Sequence, residues 1–454
     1  MPLPRRPGGT GGVTPRSRDE LLSAADAVLT HATGDGAEAT AVASELELTR
    51  YAASIIHQNV AETGLRLRAR LIADNRVGVA EVRGEASGSA ARVAAAAEDA
   101  RRLSAREDVA PLPAPDGGDD APVAFSEATA AASPEARADM VGAVTRLAAA
   151  QGLRAYGFVS TQTTGTALVN TRGLRRAATS TQASMVALVR GDNGSGYAAR
   201  HSPDVESIDV EGLATEAVDT CMRNQNAHSV EPGRFEVVLS PYAVADLLGH
   251  LSWVGFSALA KQEQRSFMRL GEKLMSDTVT IADDCREPQL FPYPFDDEGV
   301  STRVVNLVDR GVCESFVYDT PTALRDGVES TGHSLPQPNT WGPFPRHMHM
   351  AGGDRTVDEL VGAVKRGLYI TRFWYVRDVH PLRTIITGMT RDGTFLIEDG
   401  KLSAPVNDLR FTQSIVDALA DVRGVSRDRL LELEEGETGV LSPWLHLGHF
   451  AFTS

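Results

Sequence analysis

The sequence predicts an α+β protein: an N-terminal mixed α/β domain with antiparallel strands, then a β-rich, barrel- or sandwich-like C-terminal domain. Three observations predict it. Helical periodicity and apolar–polar alternation take turns through the first half. Beyond Val279 the chain is mostly short strand candidates broken by Pro, Gly and Asp. Between the two, Ala227 to Gly233 ends on Glu231-Pro-Gly233, a turn-forming break. The expected division is residues 17–226 and 227–454, with residues 1–16 read as a disordered leader. At 454 residues, 42% of them hydrophobic, the chain can build two or three domains with a well-buried core.

Residues 19–32 read as a helix, with Ser17 or Asp19 as its cap and Leu21, Leu22, Ala25, Val28 and Leu29 on one face. Alternation then marks strands at Glu45–Thr49, Leu65–Arg70 and Val77–Val82. Asp74-Asn-Arg76 is a turn between the last two, whereas Tyr51 to Gly64 carries no clear turn signal. Residues 87–105 are Ala- and Arg-rich and helical. Residues 111–134, with Pro111, Pro113, Pro115 and the run Asp116 to Asp120, read as a strap. A helix is expected from about Pro134 to Gln151. Strands follow at Ala155–Thr161, Thr166–Asn170 and Thr179–Arg190, the last two separated by a turn at Asn170 to Gly173. Gly191 to Gly196 reads as a loop and Glu211–Cys221 as a helix. Arg234 to Trp253 reads as a strand, a turn and the start of a helix. In the second half only Val357–Gly367 and Phe411–Val422 read as helices, and no repeat of fixed period is present.

The net charge of −15 gives no electrostatic footprint for nucleic acid. Three cysteines, Cys221, Cys285 and Cys313, form no CxxC pair, which argues for a reducing compartment and against a disulfide framework. No run of 18 apolar residues suggests a transmembrane helix, and the basic N-terminus has no apolar segment behind it to make a signal peptide. A cytoplasmic location is expected by elimination.

His250 is the only metal-ligating side chain on the apolar stretch Leu247–Ala260. A lone histidine there is more often a hydrogen-bonded core residue than a ligand, because zinc catalysis needs three protein ligands and an open position. Arg346-His-Met-His-Met350 is the sharper signal: on a strand His347 and His349 share a face and could hold a metal or grip a carboxylate, with His333 just upstream. The simpler reading is a solvent-lining loop. Asp283-Asp284 and Asp296-Asp-Glu298 lack the calcium-loop spacing, so solvated acidic loops are expected. Gly191 to Gly196 lacks the context of a phosphate-binding loop, and Cys313 has no histidine in fixed relation to it.

An ordered set of words resembles the TldD/PmbA family across nearly the whole chain. It runs from Glu45-Leu-Glu-Leu-Thr-Arg50 through Gly64-Leu-Arg-Leu-Arg68, Asp74 to Ala80 and Ala167 to Leu174. It continues with Ser266-Phe267, Gly271-Glu-Lys273, Phe295 to Thr302, Gly353-Asp354, Glu359-Leu360, Arg366-Gly-Leu-Tyr369 and Phe395 to Leu402. The resemblance implies an α/β N-terminal domain, a β-rich C-terminal domain, and a heterodimer in which a TldD-like subunit supplies HExxxH and a later cysteine as zinc ligands. Here Leu247-Leu248 is followed by Gly249 and Val254 at the two histidine positions and by His250 at the glutamate position, and no cysteine follows Cys313.

The expected function is thus a non-catalytic, TldE-like subunit that closes a chamber and directs an unfolded peptide or peptide-like substrate to its partner's site. No cofactor is expected in this chain; zinc would reside in the HExxxH-bearing partner. His250, Trp253, His333, Trp341, His347 and His349 are candidate chamber-lining residues, chosen on chemistry and position and not on the family's motif. The alternatives are an independent hydrolase with a non-standard metal site around His347 and His349, or a non-proteolytic binding protein.

Overall fold

Ser17 caps the first helix, α1 (Arg18–Thr30), in a capping box with Glu20. The computed structural model describes residues 17–84, 88–107, 109–118, 122–434 and 438–454, so the expected leader, residues 1–16, lies outside the described residues. Three strands follow: β1 (Gly36–Ala52), β2 (Ile55–Ala73) and β3 (Arg76–Arg83). Tyr51 to Gly64 is almost entirely strand. The chain reverses at Ala53 and Ser54, whose φ angles of 48° and 64° form a tight hairpin turn. Asp74 and Asn75, at 53° and 56°, do the same for the next hairpin.

Helix α2 (Ser89–Leu103) precedes a strap that holds a single short turn of helix, α3 (Glu127–Ala130), and α4 (Pro134–Ala150) follows. Strands β4 (Arg154–Asn170), β5 (Arg175–Arg190) and β6 (Ser195–Ser202) then lead into α5 (Val210–Arg223). The two strand runs expected before Asn170 are one strand, because the intervening Thr161 and Thr163 are buried under the helices and keep the alternation in phase. The end of the expected Gly191 to Gly196 loop is the start of β6, paired antiparallel to β5. These strands form one antiparallel sheet in the order β3-β2-β1-β4-β5-β6. Helices α1, α2, α4 and α5 cover one face, burying Leu21, Val28, Val93, Val144 and Leu213 against small residues such as Ala39, Ala69, Ala187 and Ala198.

The second sheet is built from β7 (Gly233–Leu239), β8 (Ile281–Asp283), β9 (Val305–Asp309), β10 (Val312–Cys313), β11 (His347–Met350), β12 (Arg366–His380), β13 (Ile385–Glu398), β14 (Lys401–Pro405), β15 (Arg410–Ser414), β16 (Val422–Glu434) and β17 (Thr438–Phe452). Its path runs β10-β9-β8-β11-β17-β15-β13-β12-β7, and β7 pairs back onto β17, which closes the last five strands into a ring. Phe373, Phe411, Phe450 and Phe452 pack together there, with centroids 4.5–5.5 Å apart. Helix α6 (Pro241–Leu251) lies against the ring and is almost wholly buried. It runs into one π-helical turn, Ser252–Phe256, before α7 (Ala258–Gln262).

Three differences from expectation occur in this half. Helix α8 (Thr320–Asp326) has a capping box at Asp319 that the Pro-broken pattern obscured. Helix α9 stops at Gly362 (Val357–Gly362), since β12 begins at Arg366. Phe411 belongs to β15, where it alternates with Gln413 into the interior, and only Ile415–Ala420 is helical (α10).

At one end of the first sheet, the face away from its helices carries buried polar side chains that meet the second half. Glu38, Arg70 and Arg176 meet a loop at residues 293–301, where Arg176 Nε donates to the Gly299 carbonyl at 3.1 Å. Gly299 sits at a φ of 77°, and a Cβ there would come within 2.5 Å of Leu174. The acidic runs expected as solvated loops are therefore corrected: Asp283, Asp296 and Glu298 are 0%, 4% and 1% exposed. Asp296 is satisfied by the backbone N–H groups of Glu298, Val300 and Ser334 at 2.8–3.0 Å.

Candidate functional site

Tyr242, Asp246 and His250 recur every four residues on α6, so they stack along one face, and Trp253 extends the stripe into the π-helical turn. This stripe forms one wall of a cavity of about 550 Å³. A bulge in β12 forms the opposite wall. Its pairing with β13 slips between Trp374 and Arg377, and Tyr375 takes a φ of 56°, left-handed backbone that a bulky residue rarely adopts. With the slip, every residue from Arg372 to Asp378 borders the one cavity, while the Phe373 and Val376 side chains also pack into the core. Tyr197 from β6, Glu432 from β16, Leu335 and Phe344 complete the lining.

The polar groups are mostly paired. The Tyr242 hydroxyl donates to Glu216 at 3.0 Å and accepts from the Ala199 backbone N–H at 3.2 Å and from Arg200 at 3.0 Å. Arg372 donates from Nε to Asp392 at 2.7 Å, and its guanidinium stacks 4.2 Å from the Tyr197 ring and 5.2 Å from that of Trp374. His250 Nδ1 lies 3.0 Å from Asp378 Oδ1. Glu432 accepts from the Tyr197 hydroxyl at 3.2 Å, but its other oxygen is buried without a hydrogen-bond partner and lies 3.9 Å from His201 Nε2.

Burial pushes the Asp246 carboxyl up to about 7, against the nearby charges of His250 and Arg372. Burial, with the charge of Asp246 beside it, pushes Glu432 up to about 8. Burial holds the His201 imidazole down to about 3, so it is neutral. The cavity thus offers two carboxyls that keep their protons near neutrality, aromatic walls and an imidazole–carboxylate pair.

Of the six expected lining residues, His250 and Trp253 line this cavity. Trp341, 65% exposed, sits edge-on to Trp253 at 5.7 Å, and Phe344 lies 4.4 Å from Trp253, so three aromatic rings cluster at Trp253. His333 and His347 are instead buried around Asp283, with His333 Nε2 at 3.0 Å and His347 Nδ1 at 3.5 Å from its Oδ1. His349 faces Arg429, 3.3 Å from Nδ1, which in turn binds Glu287 at 2.9 Å. The two histidines of β11 therefore serve different partners. Among the described residues no group of three or more His, Cys, Asp or Glu is arranged to hold a metal ion. All three cysteines are free and buried, and burial pushes the Cys313 thiol up, which makes it a poor nucleophile.

Sequence reasoning missed Asp246, Glu432, Arg372, Asp378 and Tyr197. The four-residue spacing of Tyr242, Asp246 and His250 was a legible signal for the first of these. Glu432 and Tyr197, 235 positions apart, meet only in the folded chain.

Residues 232–454 match the model of the PmbA/TldA metallopeptidase C-terminal domain. A metalloprotease of Methanothermobacter thermautotrophicus is 27% identical over 232 residues, covering 49% of this chain and 50% of that protein. A TldD-homologue metalloprotease of Haemophilus influenzae is 26% identical over 233 residues, covering 50% and 48%. The chain spans about half the length of the curated relatives it matches. The crystal structure of TldE from Thermococcus kodakarensis superposes with a TM-score of 0.85 at 20% identity, covering 95% of this chain and 99% of that one, which is a likeness of fold. No helix among the described residues is long and apolar enough to cross a membrane.

Proposed function

The chain belongs to the TldD/PmbA family, and from that premise we propose that it is the non-catalytic, TldE-like subunit of a heterodimeric zinc metalloprotease. The observation that carries this reading is the make-up of α6 and the turn after it. Gly249 and Val254 stand where the family resemblance puts the two zinc histidines, and both are buried. His250 stands at the glutamate position and is held by Asp378. One engaged imidazole beside two residues without donor atoms does not fit a zinc ion, so no step is assigned to a metal on this chain.

In this reading the HExxxH-bearing subunit brings the zinc, and this chain walls the chamber and orients an unfolded peptide or peptide-like substrate. The aromatic cluster of Trp253, Trp341 and Phe344 and the bulge of β12 supply surface for an extended chain. A cytoplasmic location goes with the reading and is supported by three free cysteines. The alternative of a metal site at His347 and His349 is disfavoured by the separate partners of the two rings.

The test is zinc content and peptidase activity of this chain alone and after mixing with an HExxxH-bearing subunit from the same cell. The expected result is neither zinc nor activity alone, and chelator-sensitive activity on mixing. Stoichiometric zinc with hydrolysis by the lone chain overturns the reading. A chain that never stimulates such a partner leaves a non-proteolytic binding protein.

A further inference from the structure

Strand β2 has an edge that the first sheet leaves open. Its pairing with β1 runs from the hairpin turn to Ile72, but β3 covers its other side only from Arg66, opposite Arg83, to Ala73. Backbone direction along β2 alternates. The Leu65 carbonyl accepts from the Gly84 N–H on the β3 side at 2.9 Å, and the Ile72 carbonyl from the Asp35 N–H on the β1 side at 2.9 Å. Asn59, Ala61 and Thr63 share the phase of Leu65, so their N–H and C=O groups point to the open side. Among the described residues no strand or backbone group pairs with them there. Residues 55–64 are all exposed apart from the half-buried Val60. Open edges are ordinarily blunted by lysine, proline or a bulge. Residues 59–63 carry none of these, and Glu62 is their one charge. The bulge of β2 lies nearer the turn, at His57, which the pairing of Arg50 with Gln58 and of Tyr51 with Ile56 leaves over.

The gap is therefore closed at both ends, by β3 and by the bulge. It holds about five residues of extended chain, about 17 Å, in line with β3. A second copy of this chain fits it badly. Paired about Ala61, it would set its own His57 opposite Leu65, where Gly84 already bonds. Paired about Asn59, it would carry both bulges into the new ladder. A short extended segment meets neither obstacle.

We propose that the open edge of β2, residues 59–63, takes an extended segment of an unfolded peptide as an added antiparallel strand in line with β3. Main-chain bonds from Asn59, Ala61 and Thr63 hold the segment whatever its sequence. Its side chains alternate, and those opposite Val60 and Glu62 lie on the face that carries Leu48 and Leu46 of β1. Further along β2, Arg68 Nη1 donates to the Gln337 carbonyl at 3.0 Å, in the loop that brings Leu335 and Phe344 to the cavity. The strand with the open edge is thus tied to the cavity lining. The inference rests on the reading that this chain presents peptide to a zinc-bearing partner, and it gives that peptide a place on the first sheet.

The experiment uses the full chain alone, with fluorescein-labelled Thr-Lys-Thr-Val-Thr-amide as the probe, read by fluorescence polarisation. Two relatives of the probe carry N-methyl groups, one on its third residue and one on its second and fourth. Only alternate amides of an added strand face β2, so one relative is expected to bind like the probe and the other at least about fivefold more weakly. Hydrogen exchange across residues 55–65 should slow when the probe binds. Ala61→Pro removes the N–H on the open side and leaves the ladder to β1 in place, and it should weaken binding at least about fivefold. Ala61→Ser keeps the N–H and should bind like the unaltered chain. Equal behaviour of the two methylated relatives on the unaltered chain overturns the proposal, whether or not the proline variant folds; so does full affinity in the folded proline variant. If no probe binds and Ala61→Pro instead breaks self-association or the complex with an HExxxH-bearing subunit, the edge belongs to a protein strand and the proposal falls. Stimulation of an HExxxH-bearing subunit without probe binding removes the edge site and leaves the subunit reading standing. Probe binding at the edge without stimulation does the reverse.

Discussion

His250 and Asp378 join α6 to the bulge of β12 across 128 residues of sequence, with Nδ1 3.0 Å from Oδ1. Both side chains are partly open to solvent, at 20% and 37%, so water screens the pair. Asp378→Asn is therefore expected to cost less than about 1 kcal/mol of stability. Its effect should fall on the cavity, because the pair fixes the bulge relative to the helix. In the mixed complex KM for a peptide should rise several-fold while kcat changes little. Thermal unfolding and steady-state kinetics of the variant check both halves. A loss of more than about 3 kcal/mol would mean that the pair is part of the folding core.

Glu38 should make the protein less stable in mild alkali. Burial pushes its carboxyl from the ordinary value of 4.5 up to about 7, although Arg70 lies close by. Below about pH 4.5 the group is protonated in both folded and unfolded chains and contributes nothing to the pH dependence. Between about 4.5 and 7 only the unfolded chain ionises, so stability falls as pH rises, and above about 7 the penalty is constant. The whole excursion is of order 3 kcal/mol. Glu38→Gln should flatten this slope in urea titrations at about pH 5 and about pH 8. An unchanged slope would assign it to the neighbouring acids Asp296 and Glu298, which burial also pushes up.

Asp283 acts in the opposite direction. Burial alone would raise its carboxyl, but His333 and His347 on either side hold it well below the usual carboxylate range. The His347 backbone N–H also donates to it at 2.7 Å. The stabilisation is present above the unfolded carboxylate range, near pH 4, and is lost as pH falls below it. Asp283→Asn should cost about 3–5 kcal/mol at neutral pH, because it removes the buried carboxylate on which His333, His347 and the His347 backbone N–H converge. The variant's stability should also depend less on pH below about 4. Urea unfolding at several pH values measures both effects.

The elements of the first half were largely legible because α1, α2, α4 and α5 carry apolar stripes and three of them have local side-chain caps, Ser17, Ser133 and Asp209. The missed pieces depended on distant partners. Strand β4 hides its continuity in threonines that only the covering helices bury. The acids at Asp296 and Glu298 look like a solvated loop until Arg70 and the backbone of Ser334 are brought to them. At the site, the stripe on α6 could be read from spacing, but the wall from Arg372 to Asp378 could not, since a bulge overrides the alternation from which side-chain direction is inferred. The histidines of β11 show the converse: their shared strand was legible, and their separate partners came from β8 and β16.

Phe411 links the ring of strands to the cavity. It is fully buried, 4.5 Å from Phe373 and 5.2 Å from Phe450, and Phe373 is itself part of the cavity wall. A Cβ at Gly388 would come within 2.8 Å of the Phe411 ring, so the ring sits in a space with no slack. Phe411→Ala removes the ring and leaves a void that closed strands cannot collapse into, at a cost of about 3–5 kcal/mol. Phe411→Leu keeps most of the volume and should cost clearly less. The two variants should also separate at the cavity, because Ala releases Phe373 to tilt into the space and Leu does not. In the mixed complex KM for a peptide should rise for Ala and stay near that of the unaltered chain for Leu. Denaturant midpoints and steady-state kinetics together test this. Equal costs for Ala and Leu would mean that ring-on-ring contact, and not volume, holds the interior together.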